Sequence, residues 1–290
     1  MMMTEDDKID FDNATQCWIC QKDFTKKVKK VRDHCHFTGK YRGAAHQKCN
    51  RLFRKPKFVP VKFHILSGYD AHLFVKNSNM MGEGDIDCIP NTEEKYISFS
   101  KSIYDDEKKF KYKIRFIDSF RFLPASLDKL AGNLEPNQFK QTRETFGDEC
   151  DLLLRKGVFS YDWFDSLELN ETKLPPKEEF YSKLNDSEIN DSDYEHAQKV
   201  WNYFGMKTFL EYHDLYLKTD ILLLTDVFET FRGVSMENYE LDPCWYYTTP
   251  GLALDACLKM TGLQLELLND INMLLMIEKG NRGGVSMIST

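Results

Sequence analysis

Val31-Arg-Asp-His-Cys-His-Phe-Thr-Gly-Lys-Tyr-Arg-Gly43 stands between Cys17-x-x-Cys20 and His46-x-x-Cys49-Asn50, and this stretch decides how the N-terminal part of the chain is read. The outer pairs have the two-residue gap that lets backbone amides fold around a tetrahedral ion. Cys17, Cys20, His46 and Cys49 are therefore expected to hold a structural Zn2+, with all four positions closed. Between the pairs, Asp33, His34 and His36 crowd a carboxylate and two imidazoles into four residues, and Asn50 follows the last zinc ligand. That arrangement could hold a second, catalytic metal. A zinc knuckle without chemistry, in which His34 and His36 only hydrogen-bond the turn, is the alternative.

Outward from this stretch, charge is unevenly spread. Residues 21–62 hold 14 Lys and Arg against Asp23 and Asp33, a net +12, which leaves −19 for the rest of a chain whose total is −7. A basic block over a zinc motif is the electrostatic footprint of phosphate-backbone contact; a merely solvated basic face is the bland reading. With 290 residues, 42% of them hydrophobic, two domains are expected. The chain has no run of eighteen apolar residues and no basic-then-apolar leader, so a soluble, intracellular protein is expected, without membrane partners. Cys88, Cys150, Cys244 and Cys257 are scattered singly, and reduced thiols are expected throughout.

The first module is expected to end near Arg54-Lys-Pro-Lys-Phe-Val-Pro60, which interrupts any helix begun at Gly43. Val59 to Leu66 reads as a buried strand, Ser67-Gly68 as a turn and Asp70 to Val75 as an opening helix. Tyr96 to Ser102 and Phe110 to Phe116 alternate apolar with polar around Tyr104-Asp-Asp-Glu-Lys108, a hairpin pattern. Pro124 to Leu130 and Asn137 to Thr145 read as short helices, and Leu184 to Asp193 as polar loop with cap candidates. Lys207 to Phe231, with Leu210, Leu217, Leu224 and Phe231 at helical spacing, predicts the longest helix, and Gly251 to Met260 another. Tyr216 and Asp220 share one face of the long helix. A carboxylate among Ile221, Leu222, Leu223 and Leu224 is costly unless exposed, capped or bound to metal.

At this point a resemblance becomes specific. Phe63-His-Ile-Leu-Ser-Gly-Tyr-Asp-Ala-His-Leu-Phe74 resembles the second exonuclease motif of protein-primed family B DNA polymerases, and Tyr216-Leu-Lys-Thr-Asp220 the third. Asp118-Ser119-Phe120 is similar to the segment in which a Ser or Thr and the next apolar residue hold single-stranded DNA in the editing site. Arg282-Gly283-Gly284 resembles the glycine-rich element between exonuclease and polymerase domains that contacts template. The zinc stretch resembles the phage recombination endonuclease VII group of His-metal nucleases. Their combination is similar to the polymerases of Polinton or Maverick-type self-synthesising elements and related viruses.

The resemblance implies an α+β or α/β architecture: a disordered segment 1–13, a zinc-stapled ββα nuclease module at 14–56, an RNase H-like 3′–5′ exonuclease domain with mixed sheet and flanking helices at 57–240, and a connection toward a palm domain at 241–290. It implies that Asp33 and Asn50 bind Mg2+ while His34 acts as base with His36 in support. It also implies that Asp70 and Asp220 hold catalytic Mg2+, Tyr216 orients water, and Ser119 and Phe120 position a single-stranded 3′ end. DNA, single-stranded or branched, is the implied partner, with a priming terminal protein as a candidate; a eukaryotic host would imply a nuclear location. Two departures stand out. The second motif usually carries Asn where this chain has Ile65, and the paired Asp-x-Glu of the first motif is not found, Asp10-Phe-Asp12 having the gap but no apolar strand around it. No palm aspartates follow Arg282-Gly283-Gly284, so the expectation is an interior fragment of a DNA-replicating polymerase. It would not polymerise DNA alone and would have little or no editing activity. A free-standing zinc-stapled endonuclease and a non-catalytic DNA-binding remnant are the competing readings.

Overall fold

In the computed structural model the described residues are 3–25, 28–35, 39–53, 57–66, 84–92, 95–105, 107, 110–147, 150–164 and 170–280. The chain divides into two compact units, Met1–Val59 with Tyr104–Lys113, and Pro60–Ile103 with Ile114–Thr290.

The first unit opens with helix α1 (Glu5–Asn13), in place of the disordered segment expected at 1–13. Thr4 and Asp7 cap each other reciprocally at its start, which satisfies two of the amides a free helix end leaves open. Strands β1 (Lys30–His34) and β2 (Tyr41–His46) form an antiparallel hairpin, with a register shift between Asp33 and His34. Gly43 begins no helix; it lies inside β2 at a φ of +155°, and a Cβ there would sit 2.7 Å from Trp18 Cγ. Only glycine lets the indole lie flat against the strand. Helix α2 (Gln47–Leu52) follows directly. Among the described residues of the unit the buried apolar side chains are small, namely Cys17, Cys35, Ala44 and Ala45. Such a core stabilises little by itself.

A sheet whose residues belong mostly to the second unit runs in the order β3, β6, β5, β4, with β3 at Phe58–Phe63, β4 at Ile86–Pro90, β5 at Tyr96–Tyr104 and β6 at Phe110–Asp118. The alternating segments became the neighbours β5 and β6, and the Phe99 and Phe116 rings stack on one face, 4.5 Å apart. Strand β4 was not foreseen, because all its residues are exposed and it carries no core pattern. The expected strand to Leu66 stops at Phe63. Two residues on, Ile65 takes a left-handed φ of +66°, which ends the extended run. The turn at Ser67-Gly68 and the helix from Asp70 lie outside the described residues.

A β-branched side chain in the left-handed region costs roughly 1–2 kcal/mol, and asparagine tolerates it far better. Ile65→Asn is therefore expected to raise stability by about 1 kcal/mol, read as a higher melting temperature. An unchanged or lower melting temperature would show that no strain resides there.

Helices α3 (Leu127–Ala131) and α4 (Lys140–Phe146) follow the sheet, the latter preceded by a short 3-10 turn at Pro136–Gln138. Helix α5 (Asp191–Tyr203) begins inside the stretch read as loop, because Asn190 caps it by accepting from the Asp193 amide at 2.8 Å. Helix α6 (Phe209–Tyr239) is the long one; it continues through Gly233 and ends where Glu240 turns left-handed. Its buried stripe is Phe209, Tyr212, Thr219, Leu223 and Val227, whereas Leu210 and Leu217 face solvent. Asp226 on the same helix is buried and accepts from the Gln141 and Thr142 amides and the Thr142 hydroxyl, fixing the start of α4. Helix α7 (Thr249–Thr261) sends Leu252 into a cluster with Ile117, Phe122 and Phe228, joined by Leu241, Cys244 and Tyr246. The residues just after 240 are thus part of the α6 core rather than a separate connection. Helix α8 (Ile271–Gly280) comes last, and no helix among the described residues is long and apolar enough to cross a membrane.

Candidate functional site

In the first unit, Cys17, Cys20, His46 and Cys49 bring one donor atom each to within 4.8 Å of all the others. His46 Nδ1 lies 3.5 Å from Cys20 Sγ and 3.8 Å from Cys49 Sγ. Tetrahedral zinc with bonds of about 2.3 Å to sulfur and about 2.0 Å to nitrogen would put S···N near 3.5 Å, so the four donors fit Zn2+. His46 ends β2 and Cys49 lies on α2, so the staple joins hairpin to helix. Burial raises the Cys17 thiol, but the backbone amides of His46, Cys20 and Ile19 outweigh it and bring Cys17 down to about 7. Burial and the neighbouring Cys20 and Cys17 push Cys49 up to about 11. Three thiols converge where only a cation can hold all of them as thiolates.

The residues singled out between the zinc ligands are placed differently from one another. Asp33 is 1% exposed, and both its oxygens are taken by Arg42, at 2.7 and 2.5 Å, in a bidentate pair. The Arg42 guanidinium in turn lies over the Trp18 and Phe53 rings. In this arrangement Asp33 locks the hairpin, and its burial beside Arg42 leaves no open approach to its carboxylate. His34 ends β1 opposite Tyr41, and Asn50 lies half-buried on α2. His36 lies outside the described residues, as do Asp70, Arg282, Gly283 and Gly284.

In the second unit, Tyr216 and Asp220 do share a face of α6, and two residues the sequence did not flag complete the cluster. Lys156 Nζ bonds Asp220 Oδ2 at 2.5 Å and lies 5.4 Å from the centre of the Tyr216 ring. The Tyr161 hydroxyl meets that of Tyr216 at 2.7 Å. Gly157, beside Lys156, packs against the Tyr216 ring, where a Cβ would lie in ordinary contact at 3.4 Å. Burial, then the Asp220 charge, holds the Tyr216 hydroxyl well above its ordinary range, so it is a proton donor at neutral pH. Asp220 Oδ1 is buried and makes no hydrogen bond of ordinary geometry among the described residues, although the Asp220 carboxylate lies close enough to the Tyr216 hydroxyl to hold its proton. A buried carboxylate oxygen left open beside a cation fits a metal ligand.

Ser119 is fully buried, and its hydroxyl donates to the Phe63 carbonyl at 2.8 Å while meeting His64 Nδ1 at 2.9 Å. It braces the end of β3 against the end of β6, together with Asp118, which accepts from the Ile65 and Phe120 amides. Its hydroxyl therefore does not reach a DNA strand in this arrangement. Phe120 is 37% exposed, with its ring edge-on to His64, and is free to stack.

Comparison with known proteins decides the family. A profile described as DNA polymerase type B, organellar and viral, matches residues 50–281. The chain belongs to that family. A second profile, recombination endonuclease VII, matches residues 2–60 of this family B chain. A protein of Podospora anserina named "Probable DNA polymerase" is 31% identical over 149 residues, which is 51% of this chain but 10% of that protein. The matched part thus spans about a tenth of that relative's length. No solved structure matches the chain.

Proposed function

We propose that the chain is the DNA-gripping and 3′–5′ exonuclease-type part of a protein-primed family B DNA polymerase, of the kind carried by self-synthesising mobile elements and related viruses. In this reading the second unit is RNase H-like and receives a single-stranded 3′ end, and a priming terminal protein is a further partner. The observation that carries it is Asp220, whose open Oδ1 lies in a cluster with Lys156, Tyr216 and Tyr161.

Asp220 and Asp70 would hold a divalent cation, which when bound activates water and stabilises the leaving oxygen. Tyr216, kept protonated, donates a hydrogen bond that orients the attacking water or a phosphate oxygen. Lys156 is placed to offset phosphate charge at the same point. Phe120 offers a ring on which the unpaired terminal base stacks. Phe120→Ala should weaken binding of a single-stranded 3′ end by about fivefold to 150-fold, since one base–aromatic stack contributes about 1–3 kcal/mol. An oligonucleotide with a photoreactive 3′-terminal base should crosslink to Phe120, Tyr161 or Tyr216. Crosslinks confined to other surfaces, with unchanged affinity in Phe120→Ala, would overturn the reading.

A second reading rests on the nuclease profile over residues 2–60. Here Asp33, Asn50 and His34, with His36, form a magnesium-dependent cleavage site. Asp33 would have to leave Arg42 to serve as ligand, which favours the first unit as a grip on DNA over the first unit as a cutter.

A further inference from the structure

Helix α1 carries five carboxylates, Glu5, Asp6, Asp7, Asp10 and Asp12, against Lys8 alone, a net −4. It begins the same chain whose residues 21–62 carry +12. None of its residues is buried, and Ile9 is 57% exposed, so it is not held by an apolar face. What holds it is the positive face of the hairpin. The Phe11 ring lies under Lys30 Nζ at 4.8 Å and under the Arg32 guanidinium at 4.7 Å. Lys30 also donates to the carbonyls of Asp12 and Ala14 at the helix C-terminus, where a cation is favoured. The Tyr41 hydroxyl donates to Asp10 at 2.9 Å. Tyr41 is the cross-strand partner of His34, and directly paired residues share a face.

From these contacts we infer that α1 is a displaceable mask: an acidic helix clipped onto the β1–β2 face that DNA phosphates would otherwise occupy, so that DNA must replace it to engage Lys30 and Arg32. This rests on reading the first unit as a DNA grip. The physical case is one of competition. A helix with an apolar stripe would be anchored by burial and indifferent to polyanions, whereas among the described residues this one is anchored by two cations, a hydroxyl and one ring. A phosphate backbone satisfies the same cations and adds counterion release. The attachment is also surface-exposed, so salt weakens it.

The test is made on the full zinc-loaded chain with a short DNA duplex. Phe11→Ala removes the ring that both cations cover and loosens the clip without changing any charge, leaving the Lys30 and Tyr41 hydrogen bonds in place; it is expected to tighten DNA binding several-fold at low salt and to steepen the salt dependence by about two phosphate contacts. Retention of one zinc per chain shows that the variant is folded. Independently of any variant, amide exchange across Glu5–Asn13 in the wild-type chain should accelerate when DNA is added. Normal DNA binding with no gain in Phe11→Ala and no change in α1 exchange would overturn the mask while leaving the grip intact. Failure of both chains to bind DNA in a salt-dependent way would overturn the grip, and the mask with it.

Discussion

Replacing Cys20 with serine is expected to remove zinc from the chain and to unfold the Met1–Val59 unit, while the second unit keeps its structure. The four donors already stand at ligand spacing, and besides Cys17 the described residues of the unit bury only Cys35, Ala44 and Ala45 as apolar side chains, too little apolar surface for a stable fold. Binding of structural zinc contributes on the order of 10–16 kcal/mol at neutral pH, and that free energy is the folding free energy of such a unit. Metal analysis should fall from one zinc per chain to none, and amide protection should vanish over Lys30–His34 and Tyr41–His46 but persist over Phe209–Tyr239. A chelator should do the same to the wild-type chain. Because the Cys49 thiol, raised to about 11, must lose its proton on binding at any ordinary pH, zinc affinity should fall as the solution is acidified, further so as Cys17 protonates below about 7. A folded first unit in Cys20→Ser without metal would mean that the four residues are not a staple.

The second large effect is expected at Lys62 on β3. Its ammonium is buried without a hydrogen-bond partner among the described residues, over the Phe228 and Phe122 rings at 4.4 and 5.1 Å. Burial lowers its pKa from 10.5 to about 8, with Arg115 and Arg232 adding to the shift against Cys244 and Asp242. The folded pKa lies below the unfolded one, so between about pH 8 and 10.5 the unfolded chain binds more protons. Stability contributed by this group therefore rises across that window, and below pH 8 the whole penalty is present. The ceiling on that penalty is about 3 kcal/mol, and the two ring faces offset part of it, leaving about 2 kcal/mol. Lys62→Met should stabilise the second unit by that amount at pH 7 and by little at pH 10.5. Denaturant melts of both proteins at the two pH values give the difference directly. A substitution that is neutral or harmful at pH 7 would show that the cation is satisfied where it stands.

Much of the zinc staple was legible, because ligand spacing is a local property of sequence and Cys17-x-x-Cys20 and His46-x-x-Cys49 need no tertiary information. The long helix was legible for the same reason, its apolar periodicity being unbroken, although which stripe faces the core was not: Leu210 and Leu217 matched the period as well as Phe209 and Tyr212 did. What escaped were relations between distant segments. Nothing near Lys156 or Tyr161 marks them as neighbours of Asp220 and Tyr216, since only the fold carries them across the intervening residues. Asp33 looked like an open ligand until Arg42 was seen to take both its oxygens across the hairpin. Ser119 looked like a surface contact until its hydroxyl was found pinned to Phe63. Helix α1 has almost no apolar residues, so its order comes from Thr4, Lys30, Arg32 and Tyr41, which no window over residues 1–13 contains in full.

One continuous helix carries both Asp220, which faces Lys156, and Asp226, which faces the start of α4. Each residue added to a helix rotates everything beyond it by about 100°. A one-codon insertion or deletion between these two aspartates would leave either in register only by swinging the other out of reach. The six-residue interval is therefore a phase constraint, and natural variation in length along this gene should be pushed to the loops on either side of it.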